Sequence, residues 1–195
     1  MDIRPVKAGL REYYRKIRLE MSETEKSERD RLILQRLTGL WQYKSCKTLL
    51  TYVSKDIEVD TKGLISKALA EGRAVAVPKC VEGTRLEFYY ISGLGDLTPG
   101  AFGVLEPDVQ KCVRAADFKD SLCIVPALCY DWKGFRLGYG KGYYDRFLDT
   151  YDGFTVGIVY SSCVRRSLPH GRFDRPVDLL VTEDYIRRTA KSRRA

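Results

Sequence analysis

The chain predicts an α/β domain built on a mostly parallel sheet. Two observations lead there. First, the apolar run at 48–53, a helical stretch beginning near residue 60, and the run Ala74, Val75, Ala76, Val77, Pro78 follow one another at the spacing of a parallel strand–helix–strand crossover. Second, Leu122, Cys123, Ile124, Val125 and Pro126 read as a buried strand, and a glycine-rich loop and the start of a helix come after it. Strand, loop, helix is an order that points backbone N–H groups and a positive helix end at an anion. At 195 residues and 44% hydrophobic, the chain suits one globular domain with a full core.

From the N-terminus, residues 5–19 read as a helix, with Pro5 in its first turn and Val6, Leu10, Tyr13 and Ile17 recurring at helical spacing. Lys7, Arg11, Arg15 and Arg18 form a basic stripe on another face. That stripe reads as a solvated polar face; alternatively Lys7 and Arg11, one turn apart, reach a phosphate or carboxylate together. Ser22-Glu23-Thr24-Glu25 is a capping box opening a second helix to about Thr38, with Ile33, Leu34 and Leu37 inward and Gly39 as the stop. The first strand, 48–53, follows. Ser54, Lys55, Asp56, Ile57 and Glu58 leave its C-terminal end, where α/β sheets bind ligands, so Glu58 is a candidate ligand group. Asp60 or Thr61 caps a third helix that packs Leu64, Ile65, Ala68 and Leu69 and closes at Gly72. After the second strand at 74–78, residues 86–91 form a third. Residues 93–107 hold four glycines and two prolines and read as a long structureless loop, a lid by its length.

The chemistry is expected at Arg136-Leu137-Gly138-Tyr139-Gly140-Lys141-Gly142-Tyr143-Tyr144-Asp145. Its alternating glycines allow positive φ and close approach of a ligand to the backbone. It is not a P-loop, because Tyr143 follows Gly142, and it lacks the spacing of the dinucleotide fingerprint. Arg136 and Lys141 are phosphate ligands by type, and Asp145 is a candidate magnesium ligand. Two more strands follow, at 155–160 and 177–182. Asp178 opens the last, where a charge is costly unless it is paired, on a metal, or at a solvated strand end. The fold is expected to be complete near residue 182. One domain over 1–184 and a frayed basic tail over 185–195 are therefore expected.

The net charge is +8, and Arg187, Arg188, Lys191, Arg193 and Arg194 supply five of the positive charges. Five tail charges are a weak basis for binding nucleic acid, which is not an expected partner. No apolar run approaches membrane-spanning length, and none follows Met1-Asp2-Ile3-Arg4-Pro5, so neither a membrane nor a secretory signal is expected. Six cysteines form no Cys-x-x-Cys pair, and Cys80, Cys123 and Cys163 lie in or beside apolar runs; a reduced, cytoplasmic setting is expected. The single histidine, His170, sits in a turn. It excludes a multi-histidine zinc site and leaves any Ser-His-Asp triad resting on one loop residue. Phosphoryl transfer needs no histidine; it needs positioning, cations and a metal.

On these residues the chain resembles the 5-formyltetrahydrofolate cyclo-ligases, also called methenyltetrahydrofolate synthetases, over about 7–183. The ten residues from Arg136 to Asp145 match the family signature without a gap. Lys7-x-x-Leu10-Arg11, Glu58-x-x-Thr61, and Pro176-Val177-Asp178 with Thr182-Glu183 follow in the family's order, and Gly103-x-x-Glu106-Pro107 matches a loop of bacterial members. The resemblance implies a single-domain three-layer α/β sandwich, a Rossmann-like variant, that uses ATP and Mg2+; a monomer is expected. In the family the formyl oxygen of 5-formyltetrahydrofolate is phosphorylated, the second folate nitrogen attacks the activated carbon, and 5,10-methenyltetrahydrofolate forms. Carried over, Lys7, Arg11 and Arg136 through Tyr144 (Leu137, Gly138, Tyr139, Gly140, Lys141, Gly142, Tyr143) contact ATP. Val53, Glu58, Glu106 and the segment Tyr139, Gly140, Lys141, Gly142, Tyr143 face the folate, and Asp145 and Asp178 hold magnesium. Arg136, Lys141 and Tyr143 are the expected catalytic groups. Tyr139 stands where the family has tyrosine or arginine and brings no charge to the phosphates. Tyr144 reads equally as a core aromatic. A binding protein that has lost catalysis, and an unrelated small-molecule kinase, are the competing readings.

Overall fold

The computed structural model describes residues 2–189 and 191. Helix α1 (Arg4–Leu19) begins on Pro5, as expected. Its inward face differs from the one its apolar residues outline: Tyr14 and Arg18 are buried, while Val6 and Tyr13 are exposed. The cause is Arg18, whose guanidinium donates to the carbonyls of Ile57 (3.1 Å), Ala127 (2.6 Å) and Leu128 (2.9 Å). A charge that meets three acceptors can take an interior place that periodicity assigns to an apolar residue. Helix α2 (Glu23–Gly39) is capped by the Ser22 hydroxyl, which accepts from the Glu25 N–H, and it buries Ile33 and Leu37. One short turn, α3 (Trp41–Ser45), was not foreseen; it carries Tyr43 into the core.

The crossover unit is β1 (Thr48–Leu50), α4 (Lys62–Ala70) and β2 (Ala74–Val81), and the two strands pair in parallel. Asp60 caps α4, accepting from the N–H groups of Lys62 and Gly63. The Thr61 hydroxyl instead donates to the Tyr52 carbonyl at 2.7 Å. β3 (Arg85–Ile91) returns antiparallel along β2. The expected structureless loop is not one: β4 (Leu97–Pro99) and β5 (Leu105–Pro107) pair as an antiparallel hairpin within it, and β5 packs on β2. Each strand is only three residues long and carries little alternation, so its pattern is lost among the glycines.

β6 (Ser121–Val125) is buried throughout. A second hairpin that the sequence reading missed, β7 (Cys129–Asp131) and β8 (Arg136–Leu137), stands between it and the glycine loop. Then come α5 (Tyr143–Thr150), β9 (Phe154–Ile158), β10 (Val164–Arg165), β11 (Leu179–Val181) and β12 (Ile186–Arg188). The main sheet has the order β12-β11-β9-β6-β1-β2-β3, parallel from β11 to β2, with an antiparallel strand at each edge. The fold is therefore α/β around a mostly parallel sheet, with α2, α4 and α5 packed on β11, β2 and β3. The sheet does not end near residue 182. β12 lies in the stretch read as a solvated tail and pairs with β11, and Thr189 behind it is buried. Three edge-strand residues with exposed, mostly charged side chains give no hydrophobic signal. Residues 190 and 192–195 of that tail lie outside the described residues.

From β1 the chain winds to β2 on one side; β6, β9 and β11 lie on the other. The carboxyl ends of β1 and β6 thus flank a topological switch point, the place where open α/β sheets bind ligands. Among the described residues no helix is long and apolar enough to cross a membrane, and all six cysteines are unpaired thiols.

Candidate active site

A cavity of about 510 Å³ opens at that switch point, large enough for a small-molecule ligand. Tyr52 and Val53 reach it from the end of β1, and Pro126 from the end of β6. Pro78 of β2, with Val104 and Leu105 of the hairpin loop, forms an apolar wall. The hairpin read as a lid is thus a side of the cavity.

The glycine loop closes the opposite side. It leaves β8, whose register is held by β7 and by the Leu128 N–H donating to the Leu137 carbonyl at 2.8 Å. Gly140 and Gly142 take φ of +94° and +74°. A side chain at Gly140 would also press on the Arg11 guanidinium, 3.1 Å from an ideal Cβ. Arg11 lies along the loop, its Nε donating to the Gly138 carbonyl at 2.8 Å. The loop runs into α5, which is fixed by Phe147 packing on Phe88, Phe118 and Tyr151. That aromatic anchor sets where Tyr144 and Asp145 stand.

Six cationic side chains line the cavity, Lys7, Arg11, Arg15, Lys55, Arg136 and Lys141, against three carboxylates, Glu58, Asp145 and Asp174. The imbalance favours an anionic ligand. Arg136 and Lys7 are held in ion pairs with carboxylates of the cavity. Arg136, buried on β8, donates to Asp145 Oδ1 at 2.8 Å and to the Arg175 carbonyl at 3.0 Å. Lys7 meets both oxygens of Asp174, at 3.0 and 2.8 Å. The segment 171–175 thus straps α1 to α5 across the cavity, since the Arg175 N–H also approaches Asp145 Oδ1 at 3.4 Å.

Glu58 is buried at the other end, where its Oε2 accepts from the Lys55 N–H at 2.9 Å. Burial, and then the neighbouring Glu58 carboxylate, raise the Tyr139 phenol above its ordinary pKa. Burial raises Tyr144 in the same way, and Tyr143 is raised by burial and then by Cys80 and Glu106. All three phenols therefore stay neutral near pH 7 and add no negative charge beside an anion. The Tyr144 hydroxyl is buried without a hydrogen-bond partner among the described residues, while its ring faces Arg136 at 5.9 Å.

Of the residues expected at the site, the structure brings together Lys7, Arg11, Val53, Glu58 and the whole run Arg136 to Asp145. Two do not join them. Glu106 is buried under the hairpin, where it accepts from Lys79 Nζ and the Cys80 N–H, both at 3.2 Å, and it does not line the cavity. Asp178 precedes β11, at the amino end of the parallel strands and so away from the cavity mouth. It accepts from the Thr155 N–H (2.9 Å), the Thr155 hydroxyl (2.6 Å) and Lys191 Nζ (3.0 Å). It is the paired strand carboxylate. Asp174, rather than Asp178, joins Asp145 and Glu58 in the cavity, and sequence reasoning missed it. The only trace in the sequence is an acid in a short loop between Pro169 and Pro176; its partner Lys7 lies 167 residues away.

A cavity at the switch point of an α/β sheet, with a cationic glycine loop at one side and aromatic and apolar walls, has the form of a small-molecule site suited to an anionic ligand. The 5-formyltetrahydrofolate cyclo-ligase family matches this chain over residues 3–183, and the chain belongs to that family. A probable 5-formyltetrahydrofolate cyclo-ligase of Schizosaccharomyces pombe is 32% identical over 170 residues, 79% of this chain and 83% of its own. The Haemophilus influenzae 5-formyltetrahydrofolate cyclo-ligase is 28% identical over 88% of this chain and 95% of its own. The solution structure of Aquifex aeolicus 5,10-methenyltetrahydrofolate synthetase superposes with a TM-score of 0.82 at 36% identity, covering 95% of this chain and 93% of that one.

Proposed function

We propose that the protein is an ATP- and magnesium-dependent cyclo-ligase that converts 5-formyltetrahydrofolate to 5,10-methenyltetrahydrofolate, releasing ADP and phosphate. One observation carries the reading beyond family membership: a single cavity holds both a cationic loop suited to a triphosphate and a buried carboxylate, Glu58, suited to the N–H groups of a pterin. The two reactants can then lie side by side. Holding reacting atoms in contact lowers a barrier by on the order of 7–11 kcal/mol.

In this reading Arg136, Lys141 and Arg11 hold the phosphates, and the N–H groups of the glycine loop approach them closely. Glu58 and Val53 hold the pterin so that its formyl oxygen faces the terminal phosphorus. That oxygen attacks, the bond to ADP breaks, and a phosphorylated formyl group forms. The second folate nitrogen adds to the activated carbon and gives its proton to the phosphate, which leaves with the former formyl oxygen. Tyr143, kept neutral, donates a hydrogen bond at the reacting end. Walls of Val104, Leu105 and Pro78 exclude water, which strengthens each of these charge interactions.

Magnesium fits this donor set as an ion carried in with the nucleotide. Mg2+ takes one or two carboxylates and completes its shell with phosphate oxygens and water. Asp145 and Asp174 both line the cavity, whereas no group of three or more His, Cys, Asp or Glu stands ready for a resident ion among the described residues. Asp145 and Asp174 would hold it, and it would supply charge neutralisation at the transferring phosphate. Purified protein supplied with 5-formyltetrahydrofolate, ATP and Mg2+ should form the absorbing methenyl product and ADP in equal amounts. Absence of product across neutral pH defeats the proposal.

A further inference from the structure

Helix α1 places Lys7, Arg11 and Arg15 on one face, each one turn from the next, and all three line the cavity. At a rise of about 1.5 Å per residue they span about 12 Å along it. Lys7 faces Asp174, and Arg11 lies on the glycine loop, so both stand at the phosphate end. Arg15 stands at the other end. Its guanidinium lies 5.9 Å from the Tyr139 ring centroid, and it has no carboxylate partner among the described residues. Lys55, from the loop after β1, brings its ammonium to 5.6 Å from the same ring. Tyr139 is 37% exposed, so the ring these cations flank is open to a ligand at the mouth of the cavity.

The phosphate cradle does not account for this second pair of cations. They flank a flat apolar face, an arrangement that suits a ligand carrying an aromatic ring followed by carboxylates. We propose that Arg15 and Lys55 form a carboxylate subsite that takes the glutamate tail of the folate, with Tyr139 packing against the benzoyl ring that precedes it. The inference rests on the folate reading above. It also gives Tyr139 a use for which an uncharged ring is suited.

The experiment compares 5-formyltetrahydrofolate with 5-formyltetrahydropteroate, which keeps the pterin and benzoyl rings and lacks glutamate. The KM of wild-type protein should be about tenfold lower for the glutamylated substrate. Arg15→Gln and Lys55→Gln should each raise that KM about two- to fivefold, as expected for solvent-accessible charge pairs. The double variant should bring the ratio of the two KM values close to one. Arg15→Lys should keep most of the preference, and added salt should weaken it in wild type. The KM for ATP, read in parallel, should stay within about twofold. A ratio that the double variant leaves unchanged, or a loss that falls on ATP instead, overturns the subsite while the ligase reading stands. If wild-type protein turns over neither folate, the ligase reading fails and this one fails with it.

Discussion

Replacing Gly140 with alanine tests whether the glycine loop and Arg11 act as one unit. At φ +94° an alanine backbone is strained by about 1–2 kcal/mol. Its Cβ would stand 3.1 Å from the Arg11 guanidinium, which has to retreat from the Gly138 carbonyl it bonds at 2.8 Å. Losing that hydrogen bond adds about 1 kcal/mol. The sum, about 2–3 kcal/mol, lowers the melting temperature of a domain this size by about 4–12 °C. Gly138→Ala is the internal control, because an added Cβ there meets nothing within 4 Å and its φ lies outside the left-handed region. Thermal unfolding of the two variants followed by circular dichroism should separate them clearly. Under the proposed function Gly140→Ala should also raise the KM for ATP about tenfold, since Arg11 is displaced from the cradle. If Gly140→Ala melts with Gly138→Ala, the coupling between loop and helix is refuted.

Further outcomes follow from the same geometry. Asp174→Asn should weaken binding of the ADP–Mn2+ complex, measured by water-proton relaxation, by about tenfold or more. Asp178→Ala should leave that binding in place and lower stability by about 2–4 kcal/mol, because it strips partners from Thr155 and Lys191; the reverse pattern would return the metal role to Asp178. Tyr144→Phe removes a buried hydroxyl that has no partner among the described residues and should raise the ligand-free denaturant midpoint, by about 1 kcal/mol in stability. A fall would mean that the hydroxyl is satisfied in solution. The Cys80 thiol is pushed up to about 11 from 9.0 by burial and then by Glu106. A raised pKa means that its contribution to stability is full below about pH 9 and is lost as pH rises through about 11. Alkylation attributable to Cys80, by difference from Cys80→Ala, should therefore run about a hundredfold slower than that of a free thiol at pH 8.

What the sequence makes legible here is local. The crossover from β1 to β2 is carried by unbroken apolar runs, and the α2 cap by a motif within four residues. The glycine loop announces itself by spacing, and its neighbours Arg136, Lys141 and Asp145 are close along the chain. Features settled by distant partners stay hidden. Lys7 and Asp174 meet across 167 residues, and neither lies in a pattern that names the other. Arg18 is buried because three carbonyls from two separate loops converge on it, which no helical periodicity reveals. Asp178 misleads for the opposite reason. An acid among apolar residues suggests a metal, yet the Thr155 hydroxyl and N–H, with Lys191 from the far end, satisfy it. Short hairpin strands such as β4 and β8 are too brief to carry a period at all.

Phosphorylation of the formyl oxygen is the central proposed step, and that oxygen can be followed. 5-Formyltetrahydrofolate carrying heavy oxygen in its formyl group should be turned over in ordinary water with ATP and Mg2+, and the released phosphate analysed by mass. One heavy oxygen in each phosphate is the predicted result. Unlabelled phosphate, with the heavy oxygen lost to water, would contradict the proposed transfer.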